Sequence, residues 1–134
     1  MSVAVYPVFE TDIPGIEPHL VVGGKGIGGN VEVLEALAQA LEIASLMQFF
    51  SVSADEVAET MGLEEGELPD FEVIEEWFDP ASALATTRTL RDYVRAHPES
   101  VENADWVIED FDEAAAALTV AEDNGIRFHF AMDI

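Results

Sequence analysis

Arg88, Arg91 and Arg95 recur at i, i+3 and i+7. At 3.6 residues per turn they fall within about a 60° arc of one helix face. Guanidinium groups aligned in this way grip phosphate or carboxylate groups through paired N–H donors. Their ligand would be a small anionic molecule or an acidic partner segment, and Lys25 in the glycine-rich stretch is a candidate fourth cation. The competing expectation is that these arginines pair with acids of their own chain, because acids are in large excess.

Gly24-Lys25-Gly26-Ile27-Gly28-Gly29 fits the pattern G-x-G-x-x-G, after an apolar run and before a helical one. In a dinucleotide site such glycines let the backbone approach a pyrophosphate, and an acid further on, here Asp55, binds a ribose hydroxyl. The chain lacks the β-α alternation of that fold, and Asp55 falls inside the capping box Ser53-Ala54-Asp55-Glu56. The expectation is therefore a flexible surface loop without a cofactor.

A third constellation is acidic. Glu64, Glu65, Glu67, Glu75 and Glu76 surround or adjoin Trp77 and Phe78. Aromatic anchors inside a charged rim suit a docking surface for a basic protein, where opposite potential speeds encounter. The plainer reading is a solvated acidic loop whose aromatics point into the core.

Metal and catalytic chemistry find less support. His19, His97 and His129 are scattered without a zinc spacing, and no D-x-[DN]-x-[DN]-G calcium loop occurs. On a helix Asp110 and Asp112 point about 200° apart. With no cysteine and no G-x-S-x-G elbow, neither a metal ligand set nor a catalytic residue is assigned. His129, on the polar side of an alternating segment, is expected to be structural.

The elements that must hold these residues follow from periodicity and punctuation. Residues 3–9 read as a strand, and residues 19–22 as a second short one. Asn30 is expected to cap a helix over 30–43, with Val31, Leu34, Ala38 and Leu41 as its apolar stripe. Residues 46–52 suit a buried strand or an irregular core segment. The capping box opens a short helix ending at Met61, with Gly62 as its stop. Residues 63–70 read as an acidic loop and 71–78 stay ambiguous. Asp79-Pro80 starts a helix to His97, and a last helix covers 104–124, closed by Gly125. Its stripe is Val107, Phe111, Ala114, Leu118 and Ala121. Residues 126–134 alternate as a half-buried strand, with Phe128 and Phe130 inward and Arg127, His129, Ala131 and Asp133 outward.

The fold class that results is α+β. It is a single helix-rich domain over 1–134, with three to four helices on a small sheet containing the N- and C-terminal strands. The 134 residues are 49% hydrophobic with eight Phe, so a core is affordable and an acidic disordered tail is excluded.

Charge limits the function. With 28 acidic residues against 5 basic, the net charge is −23. Such a surface repels nucleic acid and anionic lipid. The first residues lack the pattern of a signal peptide, and no apolar run reaches ~18 residues. A soluble cytoplasmic protein without nucleic-acid or membrane partners is expected. The functional expectation is non-enzymatic protein–protein contact with a basic partner. The alternatives are an anionic-ligand module built on Arg88, Arg91, Arg95 and Lys25, or acidity as salt adaptation without a specific partner. Oligomeric state is not readable from the sequence.

Overall fold

Hydrogen bonding joins the two ends of the chain. In the computed structural model, which describes residues 4–11, 24–51, 61–62 and 75–133, strand β1 (Ala4–Phe9) pairs antiparallel with strand β2 (Phe128–Asp133). Ala4 stands opposite Asp133 and Phe9 opposite Phe128. The N–H of Val5 points away from β2 and donates to the Gly24 carbonyl at 3.0 Å. Pro7, two residues on, faces the same outer side, so its missing N–H removes no ladder bond.

Four helices complete the described part: α1 (Lys25–Gly28), α2 (Val31–Ala40), α3 (Pro80–Ala96) and α4 (Ala104–Asp123). The small α+β architecture is the expected one, four helices on the two-stranded sheet formed by the terminal strands. The start of α3 and the stop of α4 fall where local chemistry sets them. Asp79 accepts from the Ala81 N–H at 3.0 Å ahead of Pro80, and Gly125 leaves α4 at φ 65°. The stripe Val107, Phe111, Ala114, Leu118 and Ala121 is buried, and α4 packs its length against α3. Val5, Ile27, Leu34, Leu90, Val94, Phe128 and Phe130 join Phe111 and Leu118 in one core cluster.

Three expectations about these elements need correction. Helix α2 ends at Ala40 rather than 43, because Glu42 takes a left-handed φ of 57° and Leu41 is partly exposed. Asn30 does not cap α2 through its side chain. Its Nδ2 instead donates to the carbonyls of Gly26 and Glu102, and its Oδ1 accepts from the Glu102 N–H, each at 2.9 Å. For residues 46–51 the structure shows the irregular core segment rather than the strand: a short 3-10 helix, Leu46–Phe49, with Leu46 and Phe49 buried, followed by a parallel bridge from Phe50 to Phe130.

The third correction concerns β2. Its expected polar face is covered at His129, 0% exposed, and Ala131, 2%, while Arg127 stays exposed. Residues 75–78 form a strap that meets β2 at its edge and brings the Glu75 and Trp77 side chains to His129. Phe78 exchanges backbone hydrogen bonds with Phe128 at 2.7 and 3.0 Å, and the Trp77 ring lies 4.7 Å from the imidazole of His129. Alternation shows which side chains share a face, but not whether a distant segment will cover the polar one. The expected strand at 19–22, residues 53–60 of the capping-box helix and the acidic loop at 63–70 lie outside the described residues.

At the sheet's end Arg127 grips Glu10 through two hydrogen bonds of 2.8 Å. The bond from Arg127 holds the Glu10 carboxyl below its ordinary range. A carboxylate depressed in the folded state stabilises above its unfolded pKa and loses that contribution as pH falls through the folded value. Glu10→Gln is therefore expected to be less stable than the parent at neutral pH. Urea midpoints measured at decreasing pH should converge below about pH 4; a constant difference throughout would contradict this linkage.

Candidate functional site

The glycine-rich stretch is a buried turn, not a flexible loop. Its N–H groups already have an anion: Asp110 of α4 accepts from Gly26 N–H at 2.8 Å and from Ile27 N–H at 3.2 Å through one oxygen, Oδ2. Asp110 is 7% exposed. A pyrophosphate at this turn would have to displace that carboxylate. The glycines have a packing reason instead. A Cβ on Gly26 would meet the Trp106 backbone at 2.6 Å, and one on Gly24, itself at φ 76°, would meet the Val5 carbonyl oxygen at 2.4 Å. Glycine is what allows α1 to lie directly on α4 and β1.

The arginine face is real, and its counter-charges come from the same chain. Arg91 and Arg95 converge on Asp112 of α4, at 3.2 and 3.0 Å, and both also approach Asp92. Arg88 makes one longer bond, 3.4 Å to the Thr119 hydroxyl. Lys25 is not brought to this face. It lies by Trp106, Glu109, Asp110 and Glu113, a side of α4 about 120° away from Asp112 and Thr119.

In the expected acidic interface, Glu64, Glu65 and Glu67 lie outside the described residues. Glu76 is exposed, and its N–H is bound by the Ser51 hydroxyl at 2.7 Å. Glu75, Trp77 and Phe78 form the strap. Glu75 Oε2 meets His129 Nε2 at 2.8 Å, and Phe78 packs edge-on against Phe49. His129 Nδ1 sits 3.1 Å from the Phe130 carbonyl, so each ring nitrogen meets an acceptor oxygen. With both nitrogens engaged, the imidazole has none left for a substrate. Glu75→Ala would strand a buried ring nitrogen and is expected to lower stability by about 1–3 kcal/mol in urea unfolding. An unchanged midpoint would show that Glu75 does not hold the strap.

Sequence reasoning missed Trp106. It is 58% exposed and stands over an open pocket of about 290 Å³ between α1 and α4. Lys25, Gly26, Glu109, Asp110 and Glu113 line the rest. The spacing 106, 109, 113 puts one aromatic and two carboxylates on the same helical face, a signal present in the sequence.

Comparison with protein-family models, curated proteins and solved structures finds no match for this chain. Among the described residues no group of three or more His, Asp or Glu side chains is placed to hold a metal ion, and no helix is long and apolar enough to cross a membrane.

Proposed function

We propose that this protein works by contact with a basic protein partner. The observation that supports the reading is where its few cations go. All five basic residues lie in the described part; Arg91, Arg95 and Arg127 are each held by carboxylates of the same chain. Three of the five scarce positive charges are thus compensated internally, and the surplus of acids is left to set the outer field. Such a field steers a basic partner and repels nucleic acid. The same pairing weakens the anionic-ligand alternative, since an anion at Arg91 and Arg95 must displace Asp112 first.

Of the acidic run, Glu64, Glu65, Glu67 and Glu76 are proposed to contribute long-range attraction, while Glu75, Trp77 and Phe78 hold the fold beneath. Charges that act by steering change association more than dissociation. Replacing Glu64, Glu65, Glu67 and Glu76 together with Gln should slow association with an oligo-arginine peptide severalfold at about 0.01 M salt, where the screening length is ~30 Å. The difference should disappear near 1 M salt. An association rate unaffected by the substitutions would contradict this role. Absence of peptide binding, with stability climbing steeply into molar salt, would favour salt adaptation instead.

A further inference from the structure

The pocket beneath Trp106 has the composition of a seat for one basic side chain. Resting on the reading above, we infer that it takes an arginine of a basic partner segment, stacked on the Trp106 indole with Glu109 as its counter-ion.

Four observations carry the inference. Trp106 is the one aromatic among the large apolar side chains left exposed in the described residues. Tryptophan brings a large contact area and an electron-rich face to an interface, and it is enriched among the residues that dominate binding energy. The wall beside it is negative, with Glu109, Asp110 and Glu113 against the single ammonium of Lys25. Asp110 turns inward to the amides of Gly26 and Ile27, while Glu109, exposed beside Trp106, faces outward toward a ligand.

The anchor is also held in place before any partner arrives. The Trp106 backbone is in direct contact with Gly26, and the Trp106 N–H is bound to Asn103 at 2.9 Å, so little backbone ordering remains to be done on binding.

The chemistry selects arginine over other occupants. A guanidinium stacks flat on an indole while its N–H groups reach a carboxylate, which an ammonium does less well. A phosphate or carboxylate ligand would face the glutamates. A second copy of the chain is opposed by the −23 charge on each molecule and by the pairing of Arg91, Arg95 and Arg127 with their own acids.

Stopped-flow binding of an oligo-arginine peptide to the full chain tests the inference. Trp106→Ala removes no charge and no core contact. It is expected to weaken binding about fivefold, mainly through faster dissociation. Trp106→Phe should fall between, and oligo-lysine of equal length should bind the parent less tightly than oligo-arginine. Glu109→Gln should weaken binding more than Glu122→Gln, a neutralisation of equal size at another exposed position of α4. If the parent binds the peptide and Trp106→Ala binds equally well, the seat is elsewhere although the acidic-contact reading stands. If the parent binds no basic peptide, that reading fails and the seat with it.

Discussion

Asp110→Ala is expected to lower stability by about 3 kcal/mol. The substitution leaves the Gly26 and Ile27 N–H groups without their acceptor in a buried turn. Hydrogen bonds to a charged group contribute about 1.5–3 kcal/mol each, and a stranded buried donor retains its desolvation penalty. Release of the buried carboxylate offsets part of the loss, which keeps the expected value below the sum of two such bonds. Asp110→Asn separates geometry from charge. Its carbonyl oxygen can still accept both N–H groups, so about half of the loss should be recovered. Urea unfolding of the three proteins gives the comparison directly. A midpoint for Asp110→Ala equal to the parent's would mean that the turn is not held by α4.

Gly26→Ala is expected to be at least as damaging, by the same contact seen from the other side. One added methyl would stand 2.6–2.7 Å from three backbone atoms of Trp106 and Val107. Backbone cannot rotate out of the way as a side chain does, so α1 and α4 must move apart. Overpacking ordinarily costs about 1–3 kcal/mol, and here the separation also stretches the two bonds to Asp110. The expected loss is therefore about 3 kcal/mol or more, read as a lowered urea midpoint or as failure to fold. Gly29→Ala serves as the control: its Cβ would be 3.2 Å from one carbonyl oxygen, a contact relieved by a shift of tenths of an ångström. Equal stability of the Gly26 and Gly29 variants would refute the close approach.

These two substitutions also show where reading a sequence succeeds and where it stops. The start of α3 and the stop of α4 were legible because their causes are local: the Asp79 carboxylate and the Ala81 N–H are two residues apart. The stripe from Val107 to Ala121 was legible because burial follows the 3.6-residue period. The pairing of the terminal strands followed from one alternating segment, 126–134, and one short β-branched and aromatic one, 3–9, each needing a neighbour. The glycine turn was not legible, because the group that gives it meaning lies 84 residues away at Asp110. Nor was the burial of His129, which depends on Glu75 and Trp77 arriving from more than fifty residues upstream.

The candidate site divides along the same line. Helical spacing aligned Arg88, Arg91 and Arg95, yet only the packing of α3 on α4 shows that Asp112 stands between the last two. Trp106 was hidden for a related reason. It lies about 100° from the centre of the core stripe, so spacing alone sets it on another face, but only the arrival of α1, distant in sequence, shows that a pocket forms there.

The central claim is that a basic segment meets this protein on the Trp106 side of α4. Nuclear magnetic resonance mapping of the full chain, titrated with an oligo-arginine peptide, tests it most directly. The account predicts saturable shifts in the Trp106 indole N–H and in the amides of Lys25, Gly26, Glu109 and Glu113, with the amides around Arg91 and Arg95 little changed. Shifts absent from the Trp106 side at peptide saturation, or confined to the arginine face of α3, would contradict it.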